Sequence, residues 1–364
     1  MKQLLRGSSR NLLILIVLAV AIRVFALVPA RVESWYSQGA YRYISLAFRT
    51  AFGWLPFSLG DLLYAAAGVL GVWRITVFIK DFFSHRRGNF SWIIAFTRLL
   101  SLATIIYIVF SSFWGLNYYR QGIGAQLQLK SHAYGEKELK VLVPLLQQRL
   151  NAYAELVNPA ARNRLVDRAS LIEKAAAAYR RSAGLYPFLE YRQSSVKSSL
   201  YTPLAPYVGF TGYFNPFTSE AQINTEVPAF MRPFIINHEI AHQLGYAKEN
   251  EASFVSFLTC RHSGDPDFLY ALYFELYRSA GNELRRFDEP YMENMNSHLS
   301  PLVKADMLEM QKYLERFQNI FEPIVSSFYD KFLKVNNQPE GMATYNRVIA
   351  LVWAYVQKNG REAL

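Results

Sequence analysis

The sequence predicts a mainly helical protein, in which an N-terminal membrane part precedes a mostly helical domain with a small sheet. Three observations favour this fold class. The chain has 364 residues, of which 52% are hydrophobic and 15% aromatic, a composition that is too apolar for a plain soluble protein. Long apolar runs occur before residue 116. Beyond it, most segments carry apolar residues at helical spacing, and one stretch alternates like short strands.

Three apolar stretches at the N-terminal end approach the roughly 20 residues that a membrane helix requires. They lie at residues 11–29, 59–78 and 91–114. The first has the basic start of a signal peptide, but its apolar core is long and no cleavage pattern follows, so we favour an uncleaved anchor. Each stretch carries one arginine near an end, where the long side chain can reach the interface: Arg23, Arg74 and Arg98. Residues 1–116 are therefore predicted to form a membrane domain.

Residues 36–53 mix aromatic side chains with two arginines. Arg42 and Arg49 are seven residues apart and so share one face of a helix. This pattern predicts an amphipathic helix at the membrane surface, although a packed loop helix has a similar pattern.

The distribution of charge predicts orientation and excludes one class of partner. With a cytoplasmic N-terminus, eight basic residues near the spans lie inside and five outside, which favours this orientation. Residues 117–364 would then lie on the periplasmic or outer side of a bacterial inner membrane. Residues 1–116 hold 12 basic and 3 acidic residues, whereas residues 117–364 hold 27 and 25. The basic excess therefore belongs to the membrane part, and no basic patch indicates a nucleic-acid partner.

The outer domain is predicted to be mostly helical, with two or three short strands. Apolar periodicity predicts helices at residues 136–156, 167–182, 268–286 and 301–332. The strands are predicted within "SSVKSSLY" and "VGFTGYFNPFTSEAQINTE", which contain alternation, aromatics and turn residues.

A metal-binding pattern follows these strands in "PFIINHEIAHQLGYAKENEASF". Apolar residues at helical spacing predict a helix over residues 234–244, so His238 and His242, four apart, share one face and can reach one metal ion. Neutral imidazole nitrogen suits Zn²⁺. Glu239 lies one step around the helix, where a general base would face the metal-bound water.

A second helix, predicted over residues 250–260, supplies candidates for the third ligand. Glu251 shares the inward stripe of that helix, and because a buried carboxylate needs a partner, we assign it as the ligand. Glu249 is the rival and is otherwise a solvated first-turn carboxylate. His262 lies in a loop-like stretch and is expected to be exposed.

The motif "HEIAH" followed by "ENEASF" resembles the gluzincin class of zinc metallopeptidases. The resemblance implies His238, His242 and Glu251 as zinc ligands, Glu239 as the base, and a zincin-like α+β fold for residues 117–364. In zincins the strand before the zinc helix lines the cleft, with ordinary edge pairing as the alternative here. A tyrosine or histidine commonly stabilises the oxyanion, and we assign Tyr345 to this role, with packing as its alternative.

Over its whole length the chain also resembles a family of bacterial membrane proteins known as domain of unknown function 3810. The resemblance depends on the three spans, "FWGLNYYR", "HEIAHQLGYAKENEASF" and "LKVNNQPEGMATYNRV". It implies a topology and no substrate.

The sequence therefore predicts a membrane-anchored zinc metallohydrolase, most simply a peptidase. Its expected partners are the lipid bilayer and a peptide or protein substrate. The alternative is a non-catalytic zinc-binding scaffold, but Glu239, which such a protein does not need, is present.

Overall fold

The computed structural model describes residues 2–83, 92–130, 134–320, 322–339 and 348–364. Five helices form the N-terminal part: α1 Lys2–Ala26, α2 Pro29–Arg31, α3 Tyr41–Phe52, α4 Leu59–Phe83 and α5 Trp92–Phe113. Between α2 and α3, Val32–Ala40 forms a wider π-helical stretch. The following helices are α6 Ile123–Gln126, α7 Glu136–Leu156, α8 Arg168–Leu185, α9 Arg232–Gln243, α10 Glu249–Arg261, α11 Pro266–Arg285, α12 Glu289–Ser297, α13 Pro301–Phe317, α14 Glu322–Val335 and α15 Val348–Asn359.

Two helices in the described part of the chain are long and apolar enough to cross a membrane, at Leu59–Lys80 and Ile93–Phe113. A further candidate, Arg10–Ala26, joins Pro29–Phe52 at a bend of 97°. The second and third predicted spans thus coincide with α4 and α5. The first predicted span coincides with α1. This helix qualifies as a candidate membrane span only when it is taken together with the helical segment after the bend.

The three predicted strands form one small sheet in the order β1-β3-β2. Strands β1 (Val196–Ser198) and β3 (Glu220–Ile223) are parallel. Strand β2 (Gly212–Asn215) is antiparallel to β3, with Gly212 opposite Ile223. Because β3 lies in the middle, β2 has one edge free of strand partners within the described residues. Helix α9 packs on β2 and β3.

The helical core forms around α11, which packs along α7 and also contacts α9 and α10. Tyr153 of α7 and Tyr273 of α11 stack with ring centroids 5.4 Å apart. The predicted helices at 136–156 and 268–286 are confirmed within two residues. The single helix predicted over 301–332 is wrong, because the chain forms α13 and α14 with a break between them. Pro323 explains the break, since proline removes a backbone donor and disfavours helix immediately before it.

The predicted helix at 36–53 is present as the π-helical stretch and α3, which pack against the C-terminal end of α9. The hydroxyl of Ser45 donates to the Gln243 carbonyl at 2.7 Å, and the hydroxyl of Tyr41 donates to the same oxygen at 3.2 Å. The indole of Trp114, just after α5, donates to the His242 carbonyl at 3.3 Å. These donors satisfy carbonyl groups that a helix end leaves without intrahelical partners. The N-terminal part therefore caps α9 directly.

Two buried carboxylates also join the N-terminal part to the domain. Glu33 accepts from Arg120 at 2.7 and 2.9 Å, and Arg120 in turn donates to the Gly245 carbonyl at 3.0 Å in the turn after α9. Glu220 of β3 accepts from the backbone N–H of Gly60 at 2.7 Å, at the start of α4. A carboxylate is favoured there by the helix dipole. Buried carboxylates thus hold the N-terminal part to the sheet and to the turn after α9.

We predict that Arg120→Met destabilises the protein because it leaves the Glu33 carboxylate buried without its cation. The two side chains are only 2% and 8% exposed, and breaking such a pair costs about 3–5 kcal/mol. Denaturant titration in detergent measures this loss in the free energy of unfolding.

The control for this prediction is Arg42→Met, because Arg42 pairs with Glu190 at the surface, where the side chains are 52% and 39% exposed. An exposed pair contributes about 0–1 kcal/mol. Equal losses from the two substitutions would contradict a structural role for the Arg120–Glu33 pair.

Candidate metal centre

Helix α9 is buried along its whole length except at His238, which is partly exposed. The sheet, α8, α10 and α11 surround it. Neighbouring elements hold it through hydrogen bonds: Gln243 donates to the Ser195 and Ser219 carbonyls at 2.8 and 2.7 Å, and the Tyr179 hydroxyl of α8 donates to the Asn237 carbonyl at 2.6 Å. The helix therefore has one fixed position and rotation, which fixes where its histidines point.

A tight turn brings the next helix back against α9. Gly245 has a φ of +84°, the left-handed conformation that glycine adopts at a helix end. A Cβ atom there would also come within 3.0 Å of the Tyr41 ring. Helix α10 then begins at Glu249, with Lys248 as its N-cap, one residue earlier than the sequence predicts. Its first turn faces the histidines of α9.

His238, His242 and Glu249 form a group whose potential ligand atoms lie within 4.8 Å of one another. The Nε2 atoms of the two histidines are 3.1 Å apart. The Oε2 atom of Glu249 lies 3.1 Å from Nε2 of His238 and 3.5 Å from Nε2 of His242. Two imidazole nitrogens and one carboxylate oxygen therefore point at a common position.

The spacing of these three atoms fits zinc. When nitrogen and oxygen ligands lie about 2.0–2.2 Å from a tetrahedral Zn²⁺ ion, neighbouring ligand atoms are about 3.3–3.6 Å apart. The three separations of 3.1, 3.1 and 3.5 Å are close to this range. Three protein ligands also match the number found in catalytic zinc sites, which keep a fourth position open.

Neighbouring groups orient each of the three side chains. Nδ1 of His242 lies 2.7 Å from the Tyr246 carbonyl, which can only accept, so this nitrogen carries a hydrogen and Nε2 is the atom left to bind a metal ion. Nδ1 of His238 lies 3.1 Å from the Ser253 hydroxyl. The Tyr329 hydroxyl donates to Oε1 of Glu249 at 2.9 Å. Such outer contacts are typical of metal ligands, because they fix the tautomer and the orientation.

The electrostatics of the cluster favour a cation. Burial opposes the charge on Glu249, but both histidines outweigh it and hold the pKa of that carboxyl well below its usual range. Burial likewise opposes charge on His242, and Glu249 and Glu239 together raise its pKa to about 9. Burial lowers the pKa of His238. A buried carboxylate thus requires a positive charge beside it, which a proton or a metal ion can supply.

The third position differs from the sequence prediction, because the structure brings Glu249 to the histidines and places Glu251 elsewhere. Glu251 is buried as expected, but against the backbone of Gly122, where a Cβ atom would lie 2.1 Å from its Oε1. Its nearest ion-pair partner is Lys248 at 3.7 Å. Both glutamates are buried, Glu249 beside the histidines and Glu251 against Gly122. Burial alone therefore could not identify the ligand.

Glu239 lies on the sheet side of α9, beside β2. A Cβ atom at Gly212 would lie 2.6 Å from its Oε1, so only glycine leaves room for the carboxylate. Its Oε2 atom is buried and has no hydrogen-bond partner among the residues that the structure describes. Burial raises the pKa of Glu239 to about 8. One oxygen of the Glu239 carboxylate is therefore left without a partner from the described chain at the contact between α9 and β2.

The other predicted candidates lie away from the cluster or outside the described residues. Tyr345 falls in the segment 340–347, which lies outside them, so its oxyanion role stays a prediction. His262 packs beside Tyr186, with ring centroids 6.0 Å apart, and belongs to no metal-binding group among the described residues.

Aromatic residues that the sequence prediction missed border the cluster. The rings of Trp114 and Phe214 lie 6.1 and 6.4 Å from the His242 ring and 5.1 Å from each other. Tyr329 reaches Glu249 from α14 on a third side. No local pattern marks these residues, because they come from distant parts of a chain rich in aromatics. The position of Trp114 directly after an apolar span was the available signal.

A family model described as "Protein of unknown function (DUF3810)" matches residues 36–353. The chain belongs to this family. The matched region includes α3 to α5, the sheet, the cluster and α14. No curated protein and no solved structure matches the chain. The resemblance to gluzincins therefore depends on the residues described above.

We predict that Glu249→Ala abolishes zinc binding, whereas Glu251→Ala retains about one zinc ion per chain. The two substitutions remove the same buried group from the same helix, two residues apart, so each controls for the effect of the other on folding. Elemental mass spectrometry of the purified proteins measures the metal, with His238→Ala as a second variant expected to lose it. Equal zinc loss in the two glutamate variants would contradict the ligand set.

We also predict that Tyr329→Phe weakens zinc binding about 10- to 100-fold, as expected when a hydrogen bond to a ligand is removed. Competition with a chromogenic chelator measures the affinity. Tyr43→Phe is the control, because Tyr43 is 75% exposed and should leave zinc affinity unchanged. An unchanged affinity in Tyr329→Phe would show that its hydroxyl does not support Glu249.

Proposed function

We propose that this protein is a membrane-anchored zinc metallohydrolase, most simply a peptidase. The observation that carries the proposal is the cluster of His238, His242 and Glu249, with the Glu239 carboxylate next to it on the same helix. A bound zinc ion would supply Lewis-acid activation of a water molecule and of a substrate carbonyl. The rest of the chemistry belongs to groups of this chain.

Glu239 acts in the proposed reaction as the general base. It lies between the two histidines in the sequence of α9. Because neighbouring elements surround this helix, the position of Glu239 relative to both histidines is fixed. It takes a proton from the attacking water and returns it to the leaving amine. The buried and unpartnered Oε2 atom supports this role, because a carboxylate without a structural partner is free to bind water or substrate.

Strand β2 supports the choice of an extended peptide as substrate. One edge of β2 has no strand partner within the described residues, α9 packs against the strand, and its first residue, Gly212, contacts the Glu239 carboxylate. A peptide that pairs with such an edge through backbone hydrogen bonds presents its carbonyl groups in a regular row. A zincin-like cleft between β2 and α9 would place one of them beside Glu239.

The cellular location follows from the candidate membrane helices and their flanking charges. We propose that the protein is a multi-pass protein of the bacterial inner membrane, with three spans and the metal centre on the periplasmic or outer side. The excess of basic residues on the opposite side of the spans supports this orientation.

We predict that Glu239→Gln keeps its zinc and lowers kcat/KM about 10²- to 10⁴-fold, the usual contribution of a general base. The assay uses zinc-loaded protein in bilayers and a mixture of internally quenched peptides. Glu155→Gln is the control, because Glu155 is exposed on α7 and should retain full activity.

Two outcomes would count against the enzymatic proposal. Full activity in Glu239→Gln would remove the general base. A wild-type protein that holds zinc and cleaves no peptide in the mixture would favour the non-catalytic zinc-binding scaffold.

A further inference from the structure

Helix α14 carries an apolar stripe that stays largely exposed in the described part of the chain. Its members and Ile320, just before the helix, recur at intervals of four, four, four and three residues, which places them on one face. The exposed fractions are 82% for Ile320, 55% for Ile324, 70% for Phe328, 41% for Phe332 and 76% for Val335. Monomeric soluble proteins rarely expose a contiguous apolar surface of this kind, so the stripe indicates a contact with something else.

A second exposed apolar segment lies against α14. Residues 200–208 expose four large apolar side chains: Leu200, Leu204, Tyr207 and Val208. The Tyr207 carbonyl accepts from the Asn319 side chain at 2.6 Å, and the Tyr207 ring packs 5.1 Å from Phe317. The two segments together form one surface, which we call the collar: residues 200, 204, 207, 208, 320, 324, 328, 332 and 335.

The collar lies at the outer ends of both candidate membrane helices. On one side, the Phe332 ring packs 6.3 Å from Phe110, near the end of α5. On the other side, the first turn of α4 holds the 200–208 segment. The Asp61 carboxylate accepts from the Leu200 N–H at 2.6 Å, and the Asp61 backbone carbonyl accepts from the Tyr201 hydroxyl at 2.8 Å. An apolar surface that is continuous with two membrane-length helices faces the same lipid as they do.

Exposed aromatic residues in the N-terminal part also favour contact with a membrane surface. Trp35, Tyr43 and Trp54 are each 75% exposed, and tryptophan and tyrosine are enriched where a membrane meets water. Lys331 and Lys334 accompany the apolar stripe of α14. Basic side chains in this position can reach lipid headgroups while the helix buries its apolar face.

We propose that the collar rests on the outer leaflet of the same bilayer and seats the metal centre on the membrane surface. Tyr329 of α14 connects the collar to the cluster, because its ring stacks on that of Phe332 with centroids 6.1 Å apart, while its hydroxyl donates to Glu249 at 2.9 Å and its ring packs 5.4 Å from Phe210, just before β2. Collar residues therefore lie directly beside a side chain that contacts the cluster of His238, His242 and Glu249. Resting on the proposed hydrolase function, the substrate class follows: a chain segment that a lipid anchor or a membrane helix holds at the bilayer surface.

The experiment measures lipid contact at single cysteines in the full-length protein. Phe328→Cys, Leu204→Cys and the control Leu308→Cys carry an environment-sensitive fluorophore, and the proteins are placed in vesicles with or without spin-labelled phosphatidylcholine. Leu308 is 50% exposed on α13 and belongs to no part of the collar. The native Cys260 is fully buried, so it should not react with the label.

The expected result is that probes at 328 and 204 lose more than about half of their emission to the spin-labelled lipid, since interfacial helices bury their apolar face about 5–10 Å deep. The probe at 308 should keep its emission. Quenching at 328 and 204 no greater than at 308 would overturn the proposal. If Phe328→Cys unfolds at a lower denaturant concentration than the wild-type protein, Ile324→Cys takes its place in the experiment.

This measurement needs no activity, so its outcome is separate from that of the hydrolase proposal. Quenching in a protein that cleaves nothing would leave the collar intact and remove only the substrate class. Zinc-dependent cleavage without quenching would leave the hydrolase intact and remove the collar.

Discussion

The burial of helix α9 is the constraint on which the rest of the structure depends. The helix carries arginine, asparagine, histidine, glutamate and glutamine, yet almost all of it is removed from solvent. A buried polar group is costly unless it is hydrogen-bonded. Gln243 shows the consequence, since it donates to two carbonyls next to β1 and β3 and accepts from the Tyr191 hydroxyl at 2.6 Å. Its partners come from the sheet and the loops before it, while α3 satisfies the carbonyls at the same helix end.

Because those partners include residues of the N-terminal part, direct contacts join the cluster of His238, His242 and Glu249 to the two membrane-length helices. Arg120 holds the turn after α9 to Glu33, and Trp114, directly after a candidate span, donates to the His242 carbonyl. The three candidate ligands therefore come from two short consecutive helices, α9 and α10. Residues next to the membrane-length helices hold the end of α9. This arrangement connects the two proposals: a site that is built onto the ends of membrane helices is suited to substrates at the membrane surface.

Local pattern predicted the two histidines, Glu239, the strands before them and most of the helices, because residues i and i+4 of a helix and alternate residues of a strand have fixed relative positions. It did not predict Glu249 as the third member of the cluster. Glu249 and Glu251 are both buried, and only the packing of the folded chain, which puts Glu251 against Gly122, shows that Glu249 is the one that faces the histidines. Tyr329 and Glu249 are 80 residues apart in the sequence, and helix and strand periodicity cannot predict such a long-range contact.

The central claim is that His238, His242 and Glu249 bind one zinc ion, and anomalous X-ray diffraction from crystals of the zinc-loaded protein tests it most directly. The account predicts a single strong peak at the zinc absorption edge, about 2.0–2.2 Å from Nε2 of both histidines and from a carboxylate oxygen of Glu249. A peak coordinated by Glu251 would contradict the ligand set. No peak between the histidines in the folded, zinc-soaked protein would contradict the metal centre and the hydrolase built upon it.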